Sequence, residues 1–328
     1  MPMRNTALLG ILFIAGLCPA MAQKRYDFDG AHSLVRFTVQ LAGLTGVEGR
    51  FVDTDATISY DEADLTKSSV TALIHTASID TGERDEQLRT ADFFDAEKFP
   101  IIRFQSKRIE KRDSNWVARG ELTIHGVTHE IELPFRWVQK IHTDPFGNDR
   151  IGFEAHLILK RSDYGIKGPR FWGEVIGDDV DVLLRVSARI YNWDHVEPTP
   201  EKGKKSVVAE IFPLFQTGNP DALKRPTEIQ SSSPCDYDLG EWSFHVLARK
   251  LSQHGKLKEA LEVSKKFSEA NPRSSLALDD LAQSYEDTGD RQQALALYKS
   301  SVAVNPFDSY AAESLRAVSR VPTRRNCP

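Results

Sequence analysis

From Tyr26 to Trp193 apolar and polar residues alternate with a period of two, with no long helical period between them. That period places successive side chains on opposite faces of a strand. Val35, Phe37, Val39 and Leu41 alternate with Leu34, Arg36, Thr38 and Gln40, and the pattern recurs at Ala56/Ile58/Tyr60, Val70/Ala72/Ile74 and Ile102/Phe104. Four longer runs follow: Trp116 to Ile124, Ile131 to Trp137, Ile151 to Leu159 and Val180 to Ala188. The count is about eight strands. Turn chemistry such as Asp144-Pro145-Phe146-Gly147-Asn148-Asp149 separates neighbours, so the pairing should be antiparallel. A sandwich and a closed barrel both satisfy the pattern. A barrel leaves no exposed edges, and with eight strands its interior admits side chains or one slim ligand.

The apolar phase of each strand assigns Val35, Phe37, Val39, Phe51, Ile74, Phe104, Leu122, Phe135, Phe153, Leu157, Val182 and Leu184 to the interior. Several inward positions are small, namely Ala72, Ala118, Gly120, Ala155 and Ala188, which would leave a slot where a packed barrel prefers bulk. Between the strands, Arg84 to Ser106 breaks the alternation: a polar helical turn leads to Phe93-Phe94, too apolar for a surface loop. The stretch reads as a plug whose aromatic rings cap the interior, or as a helical crossover packed on a sheet edge.

Asp27…His32-Ser33, Gly46-Val47-Glu48-Gly49-Arg50-Phe51, Gly120 to Thr128 (GELTIHGVT) and Arg161-Ser162-Asp163-Tyr164-Gly165-Ile166, together with the plug, occur in one order. In these motifs the chain resembles the YceI family over roughly residues 24 to 192. The resemblance implies an extended, lipocalin-like antiparallel barrel in the bacterial periplasm that holds a polyisoprenoid in its lumen, and it does not imply an enzyme. It does not extend to the last 130 or so residues.

Met1 to Ala22 has a basic residue at Arg4, an apolar run from Ala7 to Leu17 and a small-x-small end at Ala20-Met21-Ala22, the form of a secretory signal. The run is shorter than the ~20 apolar residues of a membrane span, so a soluble mature chain beginning near Gln23 is expected. Lipidation at Cys18 is disfavoured by the bulk of Leu17 before it. Charge is dispersed, 42 basic against 47 acidic residues, and leaves no nucleic-acid footprint. His125 and His129 would stand ~13 Å apart along a strand, too far to share a metal ion. There is no Gly-x-Ser-x-Gly elbow and no phosphate-cradling glycine loop. No catalytic residue, metal or cofactor is assigned. Arg84, Asp85, Arg161 and Asp163 read as surface ion pairs and turn caps, or as a polar cluster at one barrel mouth.

Residues 196–241, rich in proline and serine, read as a linker interrupted by the apolar island Val207 to Phe215, which should dock on a neighbouring domain or add a strand. Beyond Trp242 the period becomes helical. Leu247, Gly255, Ala260, Asn271 and Pro272 recur 34 residues later as Leu281, Gly289, Ala294, Asn305 and Pro306, which looks like two tetratricopeptide repeats, followed by a capping helix from Phe307 to Arg320. Two repeats are few to stand alone, so they should lean on the barrel, on a second copy or on a partner. After loss of Cys18 with the signal, Cys235 and Cys327 remain, and in an oxidising compartment they are expected to pair.

The expectation is therefore an α+β two-domain chain: signal 1–22, antiparallel lipocalin-like barrel 23–195, linker 196–241 and a small all-α repeat domain 242–328. As a function it points to a periplasmic carrier of a polyisoprenoid or isoprenoid-quinone lipid. The alternative is an adaptor, with the barrel a packed scaffold and the repeats, as a homodimer or with a peptide partner, carrying the function.

Overall fold

The computed structural model describes residues 23–170 and 175–320. The expected signal and Cys327 lie outside the described residues; Cys235 is exposed.

The first half folds as β1 (Lys24–Phe28), β2 (Leu34–Leu41), β3 (Thr45–Phe51), β4 (Thr54–Tyr60), β5 (Ser69–His75), β6 (Ile79–Asp80), α1 (Asp85–Arg89), β7 (Ile101–Arg112), β8 (Asn115–Ile124), β9 (Val127–Thr143), β10 (Asp149–Lys160) and β11 (Ile176–Ile190). Eight of the strands form a closed ring in the order β1-β4-β5-β7-β8-β9-β10-β11. It closes where Asp27 pairs with Arg189 and Phe28 with Ala188. The short, charge-bearing β1 completes the ring, whereas β2 pairs with the other part of β11 and carries β3 and β6 as a flap.

The break between β1 and β2 is bridged by side chains. Ser33 Oγ accepts from the Ser187 N–H at 3.0 Å and donates to its carbonyl at 3.2 Å, replacing ladder bonds the turn interrupts. The buried Asp29 carboxylate accepts from Arg150 at 2.5 Å and lies 2.9 Å from the His32 ring. This is the local reason for the His32-Ser33 motif.

Of the five small residues expected to leave a slot, Ala72 and Ala118 line the open interior. A Cβ on Gly120 would stand 2.4 Å from the Gln105 carbonyl oxygen. The ladder slips register beside it, between Ser106 and Arg108, so this glycine permits a close strand approach rather than a slot. Ala155 and Ala188 are packed solidly.

Residues 196–241 are not a linker. They hold β12 (Lys205–Ser206), α2 (Val207–Gln216), α3 (Arg225–Ser232) and β13 (Tyr237–Asp238), with β12 and β13 paired in parallel. Val207, Val208, Ile211, Phe212 and Phe215 fall on one helical face, and Ser206 caps it, accepting from the Ala209 N–H at 3.2 Å. That face is buried against Val246, Leu247 and Leu251 of the first repeat. Burial of five large apolar side chains outweighs the helix cost of Pro213.

The repeats follow as α4 (Glu241–Gln253) with α5 (Leu257–Ala270) and α6 (Ser275–Thr288) with α7 (Arg291–Val304), ended by α8 (Ser309–Arg320). Gly255 and Gly289 turn the chain at φ 70° and 92°, a region that favours glycine. Ala260 and Ala294, both fully buried, let the paired helices approach closely.

The face formed by α4, α6 and α8 lies on the barrel's outer wall. Arg25 of β1 donates to Gln283 at 2.7 Å and to both oxygens of Glu286 at 2.8 and 2.9 Å, with the Tyr298 and Tyr310 rings 6.0 and 5.7 Å away. Asp55 of β4 accepts from the backbone N–H of Ser309 at the start of α8 (2.7 Å), and Thr57 meets the Ser309 hydroxyl at 2.8 Å. Fully buried Glu313 accepts from Ser69 and, at 2.7 Å, from Thr71 of β5. Arg316 pairs with Glu313 at 2.9 Å and donates to the Ser106 carbonyl. His75 stacks on Phe307, ring centroids 3.5 Å apart. Burial raises the Asp27 carboxyl to about 6, against the pull of Arg249, Arg189 and Arg25 and with Asp55 adding to the rise.

Candidate ligand-binding cavity

Inside the ring is a cavity of about 430 Å³ whose wall is almost entirely carbon. Every interior position assigned from the alternation lines it: Val35, Phe37 and Val39 on β2, Phe51 on β3, Ile74 on β5, Phe104 on β7, Leu122 on β8, Phe135 on β9, Phe153 and Leu157 on β10, and Val182 and Leu184 on β11. Side chains of alternate strand residues share one face, so the phase of each strand carries its whole set inward.

The plug sits at the end of the barrel that carries the β8–β9 turn. Phe93 is buried, Phe94 meets Phe51 edge-on at 5.9 Å, and Leu88 joins them on the cavity wall. Backbone bonds from Phe94 N–H to the Leu88 carbonyl and from Phe99 N–H to the Asp95 carbonyl fold the segment on itself. Three wall residues not among the assigned interior positions are Tyr164, Ile166 and Ile176. Arg161 holds this stretch in place, donating to the carbonyls of Ile166, Lys167, Ile176 and Gly177 at 2.7–2.9 Å. Burial pushes the Tyr164 phenol up to about 12.

The four polar residues read at the mouth take different roles. Arg84 and Arg161 line the cavity, but Asp85 caps α1's approach by accepting from the Thr81 N–H and hydroxyl at 2.6 and 2.8 Å. Those bonds hold its carboxyl below the ordinary range. The Asp163 carbonyl lies 3.0 Å from the His129 ring nitrogen. His125 is a turn residue at φ 52°, not a strand residue, and its ring packs edge-on against Phe99. Among the described residues the titratable side chains on the cavity wall are Arg36, Arg84, Lys160 and Arg161 and the phenols of Tyr60 and Tyr164. No helix among the described residues is long and apolar enough to cross a membrane.

A closed antiparallel ring around an apolar, plugged interior defines a lipocalin-like barrel of the ligand-enclosing class. Comparison with known proteins places it further: the chain belongs to the YceI family, the YceI-like domain matching residues 26–188. It is 34% identical over 182 residues to the UPF0312 protein of Serratia proteamaculans, spanning 54% of this chain and 91% of that protein. Protein YceI of Escherichia coli O157:H7 is likewise 34% identical over 181 residues, with 54% and 91% covered. Among solved structures it is similar to BcnA of Burkholderia cenocepacia, at 25% identity and a TM-score of 0.45, over 49% of this chain and 99% of that one. The YceI-like domain match ends at residue 188, before the helical half begins.

Proposed function

We propose that this protein is a periplasmic carrier that holds an isoprenoid-type lipid, a polyisoprenoid or an isoprenoid quinone, in the barrel lumen. The observation that carries the reading is the cavity itself: about 430 Å³ of space walled by carbon, within the size range of small-molecule sites. An adaptor built on a scaffold barrel would have a filled lumen. Each buried methylene contributes roughly 0.8 kcal/mol, so a hydrocarbon tail supplies the affinity without any polar contact, and ordering the tail offsets part of that gain. The periplasmic assignment rests on the form of residues 1–22 and on the family resemblance.

Native mass spectrometry of protein purified from its own host, with organic extraction of the bound material, tests the reading. A co-purifying isoprenoid released on denaturation is expected. Empty protein that also fails to take up added polyprenol or quinone would refute it.

A further inference from the structure

The cavity has a floor. At the end opposite the plug it stops at Tyr60, Trp137, Phe153 and Val186. The residues beyond, Tyr26, Ile151 and Ala188, are at most 1% exposed; they pack with Ile58 and Tyr60 and do not themselves line the cavity. Trp137 packs against both that cluster and the barrel core above it. Its indole meets Tyr60 edge-on at 5.7 Å, Phe135 at 6.1 Å and Phe153 at 6.2 Å. Tyr60 is backed in turn by Tyr26 at 5.8 Å. Rings locked edge-to-face by neighbours on several strands resist rotation out of the way. A tail entering from the plugged end therefore meets a rigid aromatic surface rather than an open tube.

We propose that Trp137, seated on Tyr60, is the residue that sets the length of lipid tail this barrel accepts. The inference rests on the carrier reading above and adds what that reading leaves open, the length selected. The stretch of β11 from Val186 at the floor to Ile176 beside the plug runs about 33 Å along the strand. A strand tilt of roughly 40° reduces that to a height of about 25 Å. A tail up to that length lies wholly inside, and a longer one leaves its excess isoprene units in water at the mouth.

The test loads delipidated full-length protein with linear polyprenols of graded length and reads occupancy by native mass spectrometry. Wild type should show a length beyond which occupancy falls. Trp137→Ala should move that limit to longer prenols by at least one isoprene unit, Trp137→Phe by less, and Val186→Phe, which raises the floor beside Phe153, to shorter ones. A Trp137→Ala protein that is folded by circular dichroism yet keeps the wild-type limit overturns the proposal. Should that variant not fold, an unchanged limit in Val186→Phe does so instead. Absence of binding at every length in wild type refutes the carrier reading itself, an outcome distinct from binding without a movable limit.

Discussion

Replacing Glu313 by Ala tests whether the helical domain is held on the barrel by one buried polar network. Glu313 is fully buried on α8 and accepts from Ser69, Thr71 and Arg316. Removing the carboxylate leaves two hydroxyls and a largely buried guanidinium facing a gap. Breaking a buried ion pair from one side costs about 3–5 kcal/mol. The lost hydrogen bonds are part of that figure, not an addition to it. With a urea m-value near 2 kcal/mol/M, the midpoint should fall by about 2 M. Unfolding of the full chain followed by circular dichroism gives the shift, and amide exchange along β5 reports where the loss sits. The double variant Glu313→Leu/Arg316→Met removes both charges and fills the space, and it should recover roughly half the loss or more, since apolar replacement of a whole buried pair is often near neutral. A single variant costing under about 1 kcal/mol, or β5 exchange unchanged, would refute the reasoning.

Docking should also depend on pH. The Asp27 carboxyl, raised to about 6 on the docked barrel by burial and ordinary once the wall is bare, favours docking in full below about 3.8 and loses that contribution as pH rises through 6; the swing is on the order of 2–3 kcal/mol. Amide exchange on α8 between pH 4 and 7.5, corrected for the intrinsic exchange rate, should report most of it, and a pH profile that Asp27→Asn leaves unaltered would count against it. Leu122→Trp should lower lipid occupancy while the barrel survives, because overpacking costs typically 1–3 kcal/mol and the indole fills the cavity; full occupancy in a folded variant contradicts the lumen assignment. Residues 23–195 expressed alone should unfold cooperatively and still take up polyprenol, since the wall they would expose is polar; loss of either property would show that the helices complete the barrel. Non-reducing mass mapping should recover Cys235 linked to Cys327 within one chain, and separate alkylated peptides would be the contrary result.

The interior was legible because burial enforces its alternation: a one-residue slip would turn Phe37, Phe135 and Phe153 outward. The exterior was less so, since polar outward residues fit water and a polar partner equally well. Yet one difference was present. Outward positions on β8 to β10 carry long charged side chains, Arg119, Glu121, Glu130, Glu132, Arg136 and Glu154, joined in surface ion pairs. On β4 and β5 the same phase carries short ones, Asp55, Thr57, Ser59, Ser69 and Thr71. Short polar residues leave room for a helix to approach and still satisfy its hydrogen bonds, and this is the face α8 covers. The helix α2 was hidden for a different reason. Pro213 and the β-branched start Val207-Val208 argue against a helix locally, and tertiary burial decided otherwise.

Strands β4 and β5 therefore work on both faces. Ala56, Ile58, Val70, Ala72 and Ile74 line the cavity, while the residues between them hold the helical domain. A helix pair stacked from only two repeats leaves the face of its first helices without a neighbour. Here the barrel takes that place, and Arg25 reaches into the face, bonded to Glu286 and flanked by two tyrosine rings. A peptide recruited through the same face would first have to displace β1, the strand that closes the ring. In the docked arrangement the helices thus brace the cavity wall, and any partner must bind a surface other than the one α4, α6 and α8 turn to the barrel.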